Sequence, residues 1–568
     1  MTYQTLIRTF CLLTVCFTLS AADSKLPDTH IDFPIGVTKS NKPIQSLLSK
    51  ESLQLDSAKK HVLLVFGNAP GEEISQEEAI HLLQRKQTNK DYTLSVISDA
   101  NPDDVKTPSF PPKGRAYSEA STAAAHYLWR FIGNHGFDLV IDLRKAKNFD
   151  RLAGGRAPGL DSKHVKLLKL NPNQLEESSV AVALTKHRPA NVSAVPAFQL
   201  NYPQFDELKE TLDEILKPVS QLPFSPARKQ LQALVARSPI HTAQTLAKHY
   251  GHNSTIAYIP ALAQLARLHL SKLADAPEHY SEVVSSLRPY AEGKKAALNS
   301  KVSGVNLAGH LTLAELAKLE NSKQFTKLID AAAMLAIKSR GNNPKSPVAG
   351  HNQMSDSVFM VCPILAAAYS LTQNPEYLQA CLSHLAYLKE IDLQKDGIYR
   401  HSPQDESAWG RGNGFPALGL ALTLSWLKDG TPEFQSVQQD LRNHLNALIQ
   451  HQDASGLWHQ VIDRPESYRE LTSSCMITFA IARGIRLGWL KKETYLPVVE
   501  KSWPAINRRI GTNGELLDVC TGTGKQKSLR NYFDRTAILG KDSRGGAMAL
   551  MASTEMAALY NFLKKDSR

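Results

Sequence analysis

A chain of 568 residues, 42% of them hydrophobic, has room for two or three domains with full cores. The formal net charge is +12, yet its 66 Lys and Arg residues lie scattered among 54 Asp and Glu residues with no long basic run, which argues against nucleic acid as a partner. Beyond Cys11 and Cys16 there are only Cys362, Cys381, Cys475 and Cys520, too few for a disulfide framework and without metal-ligand spacing.

Arg8 precedes an apolar run over residues 11–19, and Ser20-Ala21-Ala22 supplies small residues for cleavage. This pattern predicts a signal peptide over residues 1–22 and a periplasmic or secreted protein. The run is too short to span a bilayer, and no later segment is long and apolar enough to do so.

Residues 23–222 read as an α/β domain. Residues 61–67, 92–97, 138–143 and 179–184 are short apolar runs bounded by turn residues, as buried strands are. An Ala-rich stretch over residues 118–132 reads as a helix. After Pro218 the strand pattern stops, and residues 223–568 are expected to be helical throughout.

That half repeats itself. Ile259-Pro260-Ala261-Leu262, Cys362-Pro363-Ile364-Leu365 and Phe415-Pro416-Ala417-Leu418 each open an apolar, small-residue run, and related runs begin near Asn306, Ser473 and Gly545. Amphipathic stretches lie between them. A helical solenoid shares this alternation, but a count that stops at six favours an (α/α)6 barrel, in which small residues let an inner ring pack closely. Proline at the first helical position would place the helix starts at these dipeptides. Cys362 and Cys475 fall in such runs and read as core.

The loops leading into the inner helices would then gather at one end, and the chemistry-bearing residues fall there. In Ser407-Ala408-Trp409-Gly410-Arg411-Gly412-Asn413-Gly414-Phe415 glycine alternates with large side chains, so a tight loop would throw each of them outward. Arg411 could fork onto a carboxylate, Trp409 and Phe415 could stack on a sugar ring, and Asn413 could bond a hydroxyl; a loop whose arginine pairs with a local acid is the alternative. Asp356, just before an apolar run, is either a helix cap or a general acid. His401 could bond a substrate hydroxyl or tune Asp356, or it is an exposed loop histidine.

These segments resemble the unsaturated glucuronyl and rhamnogalacturonyl hydrolases, glycoside hydrolase families 88 and 105. Asp356-Ser357-Val358-Phe359-Met360 is similar to the segment of the family's catalytic aspartate, and Gly397-Ile398-Tyr399-Arg400-His401 to its histidine strip. Trp409-Gly410-Arg411-Gly412-Asn413-Gly414-Phe415 is similar to the family's WGRGNGW, while residues 456–461, Glu470-Leu471-Thr472-Ser473-Ser474 and Asp542-Ser543-Arg544-Gly545-Gly546 resemble its closing motifs. The resemblance covers about residues 225–568. It implies Asp356 and His401 as catalytic, Trp409, Arg411, Asn413, Phe415, Glu470 and Ser473 as substrate-binding, an anionic oligosaccharide as substrate, and no metal or cofactor. One departure stands out: many members carry a second aspartate at the start of the second inner helix, where this chain reads Ser303-Gly304-Val305-Asn306.

The amino-terminal part resembles the zinc carboxypeptidase and succinylglutamate desuccinylase superfamily, through residues 35–44 and the strand over residues 62–67 with Pro70-Gly71-Glu72-Glu73. Pro70 and Arg144 stand where that family has zinc-binding histidines, leaving Glu73 alone of the ligands. The resemblance implies a degenerate domain, since a zinc site needs at least three protein ligands.

Overall fold

The computed structural model describes residues 25–566 apart from 87–88, 104–105, 115, 120–122, 156–158, 173–174, 300, 339–345, 347 and 351–352. The expected signal peptide lies outside the described residues.

The first half is built on a mixed eight-stranded sheet in the order β1-β2-β4-β3-β5-β8-β6-β7. These strands are β1 (His30–Val37), β2 (Pro43–Ser49), β3 (Lys60–Val65), β4 (Tyr92–Ile97), β5 (Leu139–Lys145), β6 (Asp150–Ala153), β7 (Asn171–Pro172) and β8 (Ala197–Tyr202). The central four, β4, β3, β5 and β8, run parallel. Three of them, β3, β4 and β5, are apolar runs read from the sequence, because a parallel strand is buried on both faces, whereas β8 was not anticipated. The antiparallel β1–β2 hairpin was not legible as strands.

Two expectations fail. Residues 179–184 are no strand but the start of a buried helix, Val180–Lys186, whose Ser179 hydroxyl caps Val182 N–H. Five buried apolar residues in a row fit either structure, so periodicity alone cannot decide. The helical half is also not strand-free: β9 (Leu516–Cys520) and β10 (Ala537–Gly540) pair antiparallel before its last helix. The Ala-rich helix is Ala123–His135, three residues longer at its end than expected.

The six inner helices are Tyr258–Leu273, Gly304–Gly309 continuing as Leu311–Leu319, Ser357–Thr372, Gly410–Leu424, Leu471–Arg486 and Ser543–Asp566. Each packs on the next, and the sixth packs on the first, closing the ring. Outer helices separate them, so all inner helices run the same way and their first turns share one end.

The third and fourth begin earlier than expected, with Pro363 and Pro416 inside the helix. The glycines of the 409–415 motif therefore lie in the first helical turns. Their role is close packing: a Cβ on Gly410 would stand 2.4 Å from the His459 carbonyl oxygen, and further along the same helix one on Gly419 would stand 2.7 Å from the Phe359 backbone.

The two halves share a core. One sheet face, with Phe33, Tyr117, Tyr127 and Trp129, packs in a single apolar cluster with Trp409, Val461, Tyr468, Tyr532 and Phe533 of the barrel. These barrel residues precede the fourth, fifth and sixth inner helices, so the sheet domain covers one side of the mouth.

Candidate functional site

Asp356 sits immediately before the third inner helix in helical conformation, and its side chain accepts no capping hydrogen bond. The cap alternative therefore falls. The residue is buried, and its Oδ1 has no hydrogen-bond partner among the described residues. Its Oδ2 faces His401 Nε2 at 3.5 Å.

His401 is no exposed loop histidine; it is fully buried. The Ser355 N–H donates to the His401 carbonyl at 3.1 Å, which lays the histidine strip against the start of the third inner helix. The His401 Nδ1 lies 2.8 Å from the Tyr532 hydroxyl. Burial raises the Tyr532 phenol and keeps it protonated. With that phenol donating to Nδ1, the neutral ring carries its proton on Nε2, towards Asp356.

The remaining expected contacts are spent on the protein itself. Arg411 is buried and donates from Nη1 to the Cys520 carbonyl and from Nη2 to the Thr521 carbonyl, both at 2.7 Å. It does not stand as a free fork at the mouth. Asn413 accepts from Tyr399 N–H at 2.8 Å and donates to the Tyr399 and Trp409 carbonyls.

Glu470 caps the fifth inner helix through Ser473 N–H and also takes the Cys520 N–H at 2.9 Å. Ser473 donates back to the Glu470 carbonyl. Arg411 and Glu470 thus grip Cys520 of β9 by its carbonyl and its N–H. Trp409 lies against the His401 ring at 4.4 Å, with the Arg411 guanidinium 4.7 Å from its own ring. Phe415 stacks on Phe359 at 5.4 Å. A motif this specific was legible as a functional segment, but the carbonyl partners of Arg411 lie more than 100 residues away in sequence.

At the position of the expected second aspartate, Asn306 donates to the Ile256 and Ala297 carbonyls at 2.9 and 3.0 Å. Its side chain is a brace between loops. A further buried carboxyl, Asp392 at the end of the outer helix Pro375–Asp392, was missed by sequence reasoning. Asp392 is completely buried, and neither of its side-chain oxygens has a partner among the described residues. Around the first, second and sixth inner helices the mouth opens into a cleft of about 350 Å³ lined by Tyr258, Val305 and Ser543 among others. Tyr258 in turn meets Phe359 and Phe415 edge-on.

The sheet domain does not fit zinc. Arg144 pairs with Asp142 at 2.9 Å and with Glu72 at 3.1 Å, so a permanent cation lies between the two carboxylates. The expected remaining ligand Glu73 is exposed, and Glu72 is the acid turned inward.

The family model for Glycosyl Hydrolase Family 88 matches residues 241–560, more than half of the chain. The unsaturated rhamnogalacturonyl hydrolase YesR of Bacillus subtilis is 36% identical over 124 residues, which are 22% of this chain and 34% of that protein. An unsaturated 3S-rhamnoglycuronyl hydrolase of Alteromonas sp. is 27% identical over 175 residues, 28% of this chain and 42% of that protein. The chain thus spans less than half the length of either relative. Among solved structures, a possible member of the GH105 family from Klebsiella pneumoniae matches in fold with a TM-score of 0.50 at 21% identity, over 59% of this chain and 94% of that one. The matched span takes in the closed ring of inner helices, Asp356 and the histidine strip, and on that basis the chain belongs to Glycosyl Hydrolase Family 88.

Proposed function

We propose that this protein is an exported hydrolase that removes the terminal 4,5-unsaturated uronic acid from oligosaccharides left by polysaccharide lyases. The observation that carries the reading is Asp356: a buried carboxyl at the barrel mouth, not spent as a cap, with one oxygen unpartnered among the described residues and the other facing His401. In this role Asp356 protonates C4 of the enol ether, water adds at C5 and returns a proton to Asp356, and the resulting hemiketal opens to release the next sugar. His401, oriented by Tyr532, holds Asp356 in place and bonds a substrate hydroxyl. No cofactor takes part. The names of the relatives, which act on unsaturated uronides, favour this substrate class, and export rests on the sequence of residues 1–22.

Hydration destroys the conjugated double bond, so loss of its ultraviolet absorbance in lyase digests of pectins, glycosaminoglycans and ulvans is the direct test. Asp356→Asn should lower turnover by a factor of about 10² or more while substrate still binds, as removal of a general acid does. A variant within a few-fold of wild type would move the acid elsewhere. A second reading is a binding protein for acidic carbohydrate without turnover, favoured by the tied-down Asn306 at the place of the second aspartate. Binding of the digest without any absorbance loss would select it.

A further inference from the structure

The outer helix Lys492–Asn507 runs into two consecutive arginines, Arg508 and Arg509, both buried. Arg130 of the sheet domain and Arg469 of the barrel are buried cations of the same group. Two aspartates answer them: Asp453 pairs with Arg469, and Asp518 pairs with both Arg130 and Arg509. Arg508 is left over. Only 6% of it is exposed, its Nε is buried without a hydrogen-bond partner, and no ion pair reaches its guanidinium among the described residues.

A buried guanidinium without a partner is costly, because nothing replaces the water it has given up. The end of the helix beside it offers only a modest partial charge. Burial first, and then the positive charges of Arg509 and Arg469 against the one opposing charge of Asp453, bring Arg508 down to about 9. A value so far below that of an ordinary guanidinium marks a charge the fold leaves uncompensated. His135 does not balance it: burial, and then the Arg508 charge, keep that ring neutral.

Arg508 does not face a closed interior. It lines a cleft of about 560 Å³ between the two halves of the molecule. On one side are Leu55, which follows β2, and Val235 and Ala236, which end the linking helix Pro226–Ala236. On the other are Ser455 and Pro504 of the barrel. The rim carries Lys501 together with Asp56 and Glu500, all three exposed, where water and salt screen them. Apolar walls around one buried charge, in a cleft of this size, are the form of a small-molecule site.

We propose that this cleft binds a small organic anion, whose carboxylate or phosphate takes the Arg508 guanidinium and whose apolar body lies against Leu55, Val235 and Pro504. The planar fork can hold either oxyanion through two parallel hydrogen bonds. Because the walls belong to both halves, the bound anion bridges them and stabilises the molecule as a whole. The cleft shares no lining residue with the one at Tyr258, and its occupancy is independent of the hydrolase reading.

The probes are benzoate, phenyl phosphate and the neutral benzyl alcohol, each added to the full chain at constant ionic strength. Binding is read by titration calorimetry and by thermal melting. At least one of the two anions should bind at one site per chain and raise Tm saturably, while benzyl alcohol does neither. The tighter of the two identifies the oxyanion. Arg508→Met keeps the apolar stem and removes the charge, so it should weaken that anion by about tenfold or more. Without any anion this variant should melt no lower than wild type, since an uncompensated buried charge is gone. Ala236→Trp, at an exposed position of the wall, narrows the cleft and leaves Arg508 in place. It too should weaken the anion. Failure of both anions to bind wild type, or binding that survives either substitution, overturns the proposal. So does an Arg508→Met variant that melts well below wild type, which would make Arg508 a structural cation.

Discussion

Arg411 places two guanidinium nitrogens on the consecutive carbonyls of Cys520 and Thr521, a geometry that suits its planar fork and that a lysine ammonium cannot reproduce. The side chain is buried, so losing one of these charge-assisted bonds should destabilise the fold by about 1.5–3 kcal/mol. Arg411→Lys is accordingly expected to lower the melting temperature and to weaken an unsaturated uronide and its neutral hydroxymethyl analogue alike. An unchanged melting curve with selective loss of the uronide would return Arg411 to the sugar carboxylate. The sequence picked out the residue but not its role, because its partners sit in a hairpin more than 100 residues downstream. Asp356 was more legible: the choice between cap and acid turned on whether its carboxyl accepts an N–H, which only the geometry decides. Asp392 carried no local sign at all, being one more acid near the charged end of an amphipathic helix.

At the level of elements, six small-residue helices alternating with amphipathic ones were readable because the periodicity of burial repeats in the sequence. Four of the starts were readable to within two residues, but those of the third and fourth were not. Pro363 and Pro416 each occupy the seventh helical residue, where a proline removes a hydrogen bond and is expected only at a boundary or kink. What the small residues do is clearest at Gly419, where the fourth inner helix touches the third. A Cβ there would lie 2.7 Å from both the N and the Cα of Phe359, backbone atoms that cannot rotate away. Gly419→Ala should therefore destabilise by about 1–3 kcal/mol through overpacking. That outweighs the gain of about 1 kcal/mol that alanine brings to a helix interior. Gly524→Ala, which meets open space, should melt like wild type. If Gly419→Ala were as stable as Gly524→Ala, the inner ring would have slack and the close-packing account would fail.

On the scale of the whole molecule, the break near residue 222 was visible as a change of pattern, but nothing in either pattern announces that the two halves share a core. The contact is made by residues that look ordinary in sequence. Tyr117 stacks between Tyr127 at 3.9 Å and the barrel's Tyr468 at 5.1 Å. Arg469 of the barrel donates to the Pro34 carbonyl at 3.1 Å and lies over the Phe33 ring.

At the centre is Asp518 of β9, held at φ +61° and buried. It pairs with Arg130 of the sheet domain and with Arg509 of the barrel, and accepts from the Tyr117 hydroxyl at 3.2 Å. Two residues on is Cys520, the residue that Arg411 and Glu470 grip, so the sheet domain fixes the strand against which the 409–415 motif is built. Asp518→Ala would leave two buried arginines without this partner, which costs about 3–5 kcal/mol. The expected result is a clearly lower melting temperature together with a fall in turnover, even though residue 518 makes no contact with Asp356 or His401. Because one apolar cluster spans both halves, wild type should melt in a single transition, and the variant should separate it into two or lower it as a whole. Two independent transitions in wild type, with only the sheet domain weakened by Asp518→Ala and turnover preserved, would mean that the barrel builds its site alone.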